Sequence, residues 1–207
     1  IFRENQIFFK WYGGLFRKLL FKYERLFVQN ENSAQLLAKL GLKNVQIAGD
    51  TRFDRVIENA QSVKENPVVE AFSKDGFVVV AGSTWQKDES LLAEFFNKHA
   101  PQFNLKLIIA PHEISEERLQ EIERCFAGKI LRYSTAIAEK TSSANILIID
   151  NIGMLSSLYG HGKIAYVGGG FGKGIHNTLE AAVFGVPVIF GHKHQKFQEA
   201  VDLVECG

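Results

Sequence analysis

Cysteine is scarce in this sequence: Cys125 and Cys206 are the only two in 207 residues, and they make no CxxC pair. A disulfide framework is therefore excluded, and the thiols fit a reducing compartment. Long apolar runs are lacking as well. None approaches the roughly 20 residues of a membrane-spanning helix, and the start at Ile1 carries no signal-peptide pattern. Charge of one sign is not in excess. Lys plus Arg number 24 and Asp plus Glu 23, a formal net charge of +1. A dedicated nucleic-acid binder would be more basic, so nucleic acid is not expected as a partner. Internal repeats and low-complexity segments are absent. What is present is a globular composition, 46% hydrophobic and 23% charged, which excludes disorder as a description of the whole chain. The length suits one good-sized domain, or one domain with a fragment of another.

The stretch 4–22 is aromatic and basic. Phe8, Phe9, Trp11, Tyr12, Leu15, Phe16, Leu19 and Leu20 recur near helical spacing, with Lys10, Arg17, Lys18, Lys22 and Arg25 around them. This predicts a helix broken or bent at Gly13-Gly14. Short strands at 26–29 and 45–48 flank a helix over 30–40, with Asn30 as cap and Gly41 as stop. Gly49-Asp50-Thr51-Arg52-Phe53-Asp54 reads as a polar connecting turn, followed by a helix over 55–61 and a polar segment to Pro67. Strands are then expected at 77–81, 105–110, 130–133, 146–149, 164–167 and 186–190. Helices are expected at 88–99, 115–126, 153–159, 176–184 and 197–204. The strands are continuous apolar runs, as in a sheet buried on both faces. The fold class is α/β: a Rossmann-like, doubly wound parallel sheet. Ligands on such sheets sit beyond the carboxyl ends of the strands.

That rule directs attention to the residues just after each strand. Gly82-Ser83-Thr84-Trp85 offers a tight turn with two hydroxyls, suited to an anion or a ribosyl oxygen, or equally to capping a helix. Pro111-His112-Glu113 sets a histidine at the sheet's edge, for solvent or for a ligand. Asp150-Asn151-Ile152-Gly153-Met154-Leu155 can cap the next helix or turn its amides toward an anion. Residues 168–174, Gly-Gly-Gly-Phe-Gly-Lys-Gly, hold five glycines in seven positions. Ordering them is costly, which points to close backbone approach to a ligand, or to a hinge. No register of this loop fits G-x-G-x-x-G or GxxxxGK[ST], so nicotinamide-binding and ATP-hydrolysing readings lose their main support.

Asn177 and Glu180 are three apart and expected on one face of the following helix. Glu180 suits a ribose diol, although it also complements the helix dipole. His192 and His194 form an H-x-H pair, but no nearby carboxylate or cysteine completes a set, and no metal site is expected. Cys125, on a helix near apolar neighbours, is expected to be inert. No Ser-His-Asp or Cys-His nucleophile set stands out.

Taken together, Gly82-Ser83-Thr84, Ala110-Pro111-His112-Glu113, Gly153-Met154-Leu155, Gly168-Gly169-Gly170-Phe171, His176-Asn177-Thr178-Leu179-Glu180-Ala181-Ala182 and Gly49 to Asp54 resemble the 3-deoxy-D-manno-octulosonic acid (Kdo) transferases, particularly the Bacteroidetes type. The resemblance covers nearly the whole chain. It implies a GT-B glycosyltransferase, two Rossmann-like domains across a cleft. The donor substrate would be CMP-Kdo and the acceptor a lipid A precursor, with inverting transfer and no metal or other cofactor. On this resemblance, residues 1–50 are the end of the N-terminal acceptor domain and 51–207 most of the C-terminal donor domain. The final helix would be cut at Gly207, the general base would lie in the missing part, and the piece alone would be inactive. No catalytic residue is assigned in this chain.

The same resemblance places Ser83 and Thr84 near the donor phosphate or sugar and Pro111 and His112 at the cytosine end. Gly153, Met154 and Leu155 would line the nucleotide, with Gly169 and Gly170 in the loop beside it. Asn177, Thr178 and Leu179 would present a helix terminus to the phosphate, and Glu180 would hold the ribose. Two departures stand out. Many members have Pro-Arg where this chain has Pro111-His112, and many have serine at Gly170. Membrane-surface contact, at the cytoplasmic face of the bacterial inner membrane, would come through the full-length protein. The alternatives are another GT-B glycosyltransferase or a nucleotide-sugar epimerase with a UDP-sugar, and a non-catalytic nucleotide- or membrane-surface-binding module built on the basic, aromatic start.

Overall fold

A computed structural model of the chain describes residues 1–62, 65–172 and 174–206. Two positions singled out above, Lys173 in the glycine-rich loop and Gly207, lie outside the described residues, as do 63–64 of the polar segment before Pro67. The chain divides into two compact units, 1–55 and 56–207.

In the first unit the expected helix over 4–22 is a 3₁₀ turn, Ile7–Phe9, followed by α1, Gly14–Leu20. The break falls just before Gly14, where Gly13 N donates to the Lys10 carbonyl at 2.9 Å. Strand β1 (Leu26–Val28), helix α2 (Glu31–Lys39) and strand β2 (Val45–Ile47) come next. Asn30 caps α2 as expected, its Oδ1 accepting from Ser33 N at 2.9 Å. The parallel β1–β2 pair sets Leu26 opposite Val45. A small core forms on Leu20, Val28, Leu37 and Leu42, with Phe2, Phe8 and Phe9 packed against it. Trp11, 90% exposed, and Leu15, 72% exposed, stay outside it.

The polar stretch 49–54 is mostly not a turn. Helix α3 runs Thr51–Gln61. Asp50 precedes it, its Oδ1 accepting from Arg52 N (3.0 Å) and its carbonyl from Phe53 N (3.0 Å). The Arg52 guanidinium also donates to Asp50, and this bond does most to hold the Asp50 carboxyl below its usual range. The polar residues are thus a helix entry, and the division between the units falls inside α3.

The second unit contains helix α4 (Pro67–Ser73), strand β3 (Phe77–Thr84), helix α5 (Gln86–Phe103), strand β4 (Leu105–Pro111), helix α6 (Glu116–Cys125), strand β5 (Ile130–Arg132), helix α7 (Ala138–Thr141), strand β6 (Ile146–Ile148), helix α8 (Leu155–Leu158), strand β7 (Ile164–Val167), helix α9 (Leu179–Ala182), strand β8 (Val188–Phe190) and helix α10 (Gln198–Cys206). The strands form one six-stranded sheet in the order β5-β6-β4-β3-β7-β8, every pairing parallel. Helices α4 and α7 were not legible in the pattern. Seven- and four-residue helices span too few turns to show a period. Asn66, accepting from Val69 N at 3.2 Å, and Pro67 start α4.

The unbroken apolar runs are divided between two cores by the two-residue period of a strand. Val78 and Val80 of β3 join Ile108, Leu147, Ala165 and Val167 in a core with Val69 and Phe72 of α4. Val79 and Ala81 join Leu107, Ile109, Ile146 and Ile148 in a core with Leu92 and Phe96 of α5 and Ile122 of α6. Lys106 is also buried, and its Nζ is satisfied by the carbonyls of Phe72 (2.9 Å) and Ser142 (2.8 Å). Phe72 is fully buried. Phe72→Ala should therefore cost about 3–5 kcal/mol in urea unfolding. A loss below about 1 kcal/mol would contradict this packing.

Candidate functional site at the carboxyl edge of the sheet

From β3 the chain adds β4, β5 and β6 on one side, then crosses to β7 and β8 on the other. Strands β3 and β7 are neighbours, with Gly82 opposite Val167. A crevice at such a switch point opens beyond their carboxyl ends. Residues from β3, β4, α5 and the loop after β7 meet there.

Strand β3 runs past the expected end at 81. Gly82 pairs with Ala110 and Thr84 with Pro111, leaving Ser83 as a bulge. Ser83 has φ of 52°, a left-handed conformation that is costly for serine and recurs at functional sites. Its side chain is half-buried. Thr84 is 1% exposed; its hydroxyl donates to Glu89 Oε1 at 3.0 Å and its carbonyl accepts from His112 N at 2.9 Å. Glu89 is itself ion-paired with Arg118. The Thr84 hydroxyl is therefore used inside the fold, and Ser83 offers the available one. Pro111 is likewise buried as the last residue of β4, whereas His112 is exposed.

One carboxylate ties these elements together. Asp88, 1% exposed in the first turn of α5, accepts from Trp85 N (2.9 Å) and Gly169 N (2.9 Å) through Oδ2. Its Oδ1 accepts from the Tyr166 hydroxyl at 2.6 Å. Burial first, and then this bond, raise the Tyr166 phenol above its usual range. Asp88 thus caps α5 and at the same time pins β7 and the glycine loop.

The glycines answer to the protein's own backbone. A Cβ on Gly168 would lie 2.7 Å from Thr84 Cα, and one on Gly170 2.5 Å from Gly191 Cα. Gly169, at φ 92°, would press a Cβ into the Gly174 carbonyl. At these three positions the fold itself requires glycine. They let β7 meet β3 and the loop after β8, which is also fastened by Lys193 N to the Gly170 carbonyl (3.0 Å).

Three rings stand in a column at the edge. Trp85 stacks on His112 with centroids 4.4 Å apart at 25°, and His112 lies 4.7 Å from His176. Trp85 Nε1 donates to His176 Nε2 at 3.2 Å. Burial first, and then His112, hold His176 below the usual histidine range, against the pull of Asp88.

The helix expected over 176–184 shortens to α9, because Asn177 Oδ1 takes Leu179 N (3.2 Å) just ahead of it. Asn177 is therefore not on the helix. Its Nδ2 nevertheless donates to Glu180 Oε1 at 3.0 Å, so the two side chains do meet. A four-residue helix has little dipole, so its terminus is a weak anion site. Thr178 is fully buried with its hydroxyl unpartnered, and Leu179 is buried beside it. Burial, with Glu180 second, raises the Tyr159 phenol above its usual range. The Tyr159 hydroxyl and Leu155 cover the space a side chain at Gly82 would need.

Met154 and Leu155 are half-buried against the core, and Gly153, at φ 93°, is exposed with open space around it. Asp150 does not cap α8. It accepts from Ser134 N (2.9 Å) and from the Ser134 hydroxyl. Cys125 is exposed rather than surrounded by apolar groups. Among the described residues, no three His, Cys, Asp or Glu side chains gather as metal ligands, and no helix is long and apolar enough to cross a membrane.

No family model matches the chain. Curated proteins do. The 3-deoxy-D-manno-octulosonic acid transferase of Aquifex aeolicus is 26% identical over 93% of this chain and 51% of its own length. That of Chlamydophila psittaci is 30% identical over 86% of this chain and 41% of its own. A crystal structure of the C-terminal CMP-Kdo binding domain of WaaA from Acinetobacter baumannii matches 72% of this chain and 77% of that domain, with a TM-score of 0.54 and 25% identity. Over most of its length the chain is similar to these Kdo transferases. It spans about half or less of the curated relatives it matches. Its parallel α/β sheet matches the fold of that C-terminal domain.

Within this chain, the carboxyl edge gathers Ser83, His112, Asn177, Thr178 and Glu180 from the residues singled out in the sequence. Trp85, Asp88, Tyr159 and Tyr166 were missed. The signals were an indole directly after a strand-end turn and two acids in the first turn of the next helix. Asp88→Ala strands the Gly169 amide and the Tyr166 hydroxyl in the interior. It should lower stability by about 2–4 kcal/mol in chemical unfolding, against about 1 kcal/mol for Tyr166→Phe. Equal, small losses in the two variants would show that Asp88 is not the tie.

Proposed function

We propose that the protein transfers Kdo from CMP-Kdo to a lipid A precursor in lipopolysaccharide biosynthesis, and that residues 56–207 form the donor site. The observation that carries this reading is the likeness to a CMP-Kdo binding domain, together with polar side chains gathered at the switch point. Glu180, oriented by Asn177 at 3.0 Å, accepts from the ribose diol. Ser83, half-buried at the bulge, serves the phosphate or sugar oxygens. Met154 and Leu155 give the nucleoside an apolar floor.

Transfer with inversion needs a base for the acceptor hydroxyl and stabilisation of the charge that develops on CMP. The second task falls to His112 and to Lys193, whose Nζ lies 3.0 Å from the Gly172 carbonyl. We assign the base to a part of the protein outside this chain, and propose that no metal takes part. Membrane-surface contact at the cytoplasmic face of the inner membrane belongs to the same proposal.

Calorimetry with CMP, CMP-Kdo and UDP tests the donor assignment. The cytidine ligands should bind at least about tenfold tighter than UDP, a difference of about 1.4 kcal/mol. Glu180→Ala should weaken CMP about tenfold. UDP binding tighter than CMP would overturn the reading.

A further inference from the structure

The Trp85–His112–His176 column is asymmetric in a way that matters for protons. His176 Nε2 accepts the indole N–H of Trp85 at 3.2 Å, so its lone pair is in use and its proton resides on Nδ1. Protonating Nε2 would set two N–H groups against each other. His112 has no such restraint. It is exposed, and its ring lies on the indole face at 4.4 Å and 25°. An aromatic face at this distance attracts a cation. Of the two imidazoles, 4.7 Å apart, His176 has a ring nitrogen tied to Trp85 and His112 has its ring face on the indole.

Most of the charged groups around the column are engaged elsewhere. Asp88 of α5 is spent on Trp85 N, Gly169 N and Tyr166. Glu89 of α5 holds Thr84 and Arg118. Glu180 of α9 holds Asn177, and Lys193, after β8, holds the Gly172 carbonyl. Glu113 is next to His112 in the chain and is exposed.

We propose that binding of a cytidine nucleotide at this edge draws one proton onto His112, so that donor binding is coupled to proton uptake, with Trp85 and His176 as positioning residues. The inference rests on the donor-site reading above. The groups of CMP that a histidine here can meet (phosphate oxygens, cytosine O2 and N3) are hydrogen-bond acceptors, and an imidazolium offers two donors where neutral histidine offers one. A ligand that favours the charged form must bind more weakly as that form disappears. Affinity is therefore highest on the acid side of the histidine range and falls as pH rises, by up to about tenfold per unit.

The test is calorimetry in buffers of different ionisation heat, with the methyl phosphodiester of CMP, whose phosphate does not titrate near neutrality, and with cytidine. The expected result is uptake approaching one proton per bound methyl ester near pH 7.5, absent in His112→Gln. Uptake with the ester alone assigns the partner to the phosphate, and uptake with cytidine as well assigns it to the base. Trp85→Leu, which removes the ring face and leaves His112, should weaken binding several-fold more at pH 7.5 than at pH 6. Binding without proton uptake, uptake that persists in His112→Gln, or an equal loss at both pH values in Trp85→Leu overturns the coupling and leaves the donor site standing. Failure of every cytidine ligand to bind removes the donor site and the coupling with it.

Discussion

The buried carboxylate of Asp88 is the constraint from which the edge of the sheet takes its form. It accepts from three donors on three elements: Trp85 N at the head of α5, the Tyr166 hydroxyl on β7 and Gly169 N in the loop beyond. A buried carboxylate is tolerated only when its oxygens are satisfied. Each of those donors must therefore stay in place. Trp85 is thereby held at the exit of β3, where its ring reaches His112 and His176. The glycine loop is held against β3, and the chain leaving that loop carries Asn177, Thr178 and Glu180 to the crevice.

This changes the meaning of the glycines. Five in seven residues suggested a cradle for a ligand, yet Gly168, Gly169 and Gly170 are each required by a neighbouring stretch of backbone. The loop is a packed joint. The side chains that the joint positions are an exposed imidazole, a half-buried serine in a left-handed conformation, and an acid–amide pair. Anion binding by amides at the end of a long helix has little role when α9 has four residues.

Much of the fold was legible in the sequence because its strands are apolar runs with short links: the six expected from 77 onward form the six-stranded parallel sheet, and those at 26–29 and 45–48 pair separately. The edges were harder to read. Residues 82–84 looked like a turn because glycine and serine lack strand propensity, but pairing with β4 carries the strand through them and makes Ser83 a bulge. Residues 49–54 looked like a polar turn because Asp and Thr serve turns and caps alike. The motif residues Ser83, His112, Asn177 and Glu180 lie at the carboxyl edge, whereas Thr84 and Pro111 are buried within the fold. Asp88 and Trp85 were hidden for a physical reason. Their roles come from contacts across 81 and 91 residues of sequence, which no local pattern records.

If Asp88 organises the carboxyl edge as a donor site, a cytidine nucleotide must lodge there and nowhere else on the sheet. Amide chemical-shift mapping on addition of CMP is the decisive experiment. The largest shifts are expected at Ser83, Trp85, His112 and Gly169 and through Asn177–Glu180, with little change in the amino-edge groove lined by Phe96, Asn97 and Asn145. Shifts concentrated in that groove, or none at the carboxyl edge at saturating CMP, would contradict it.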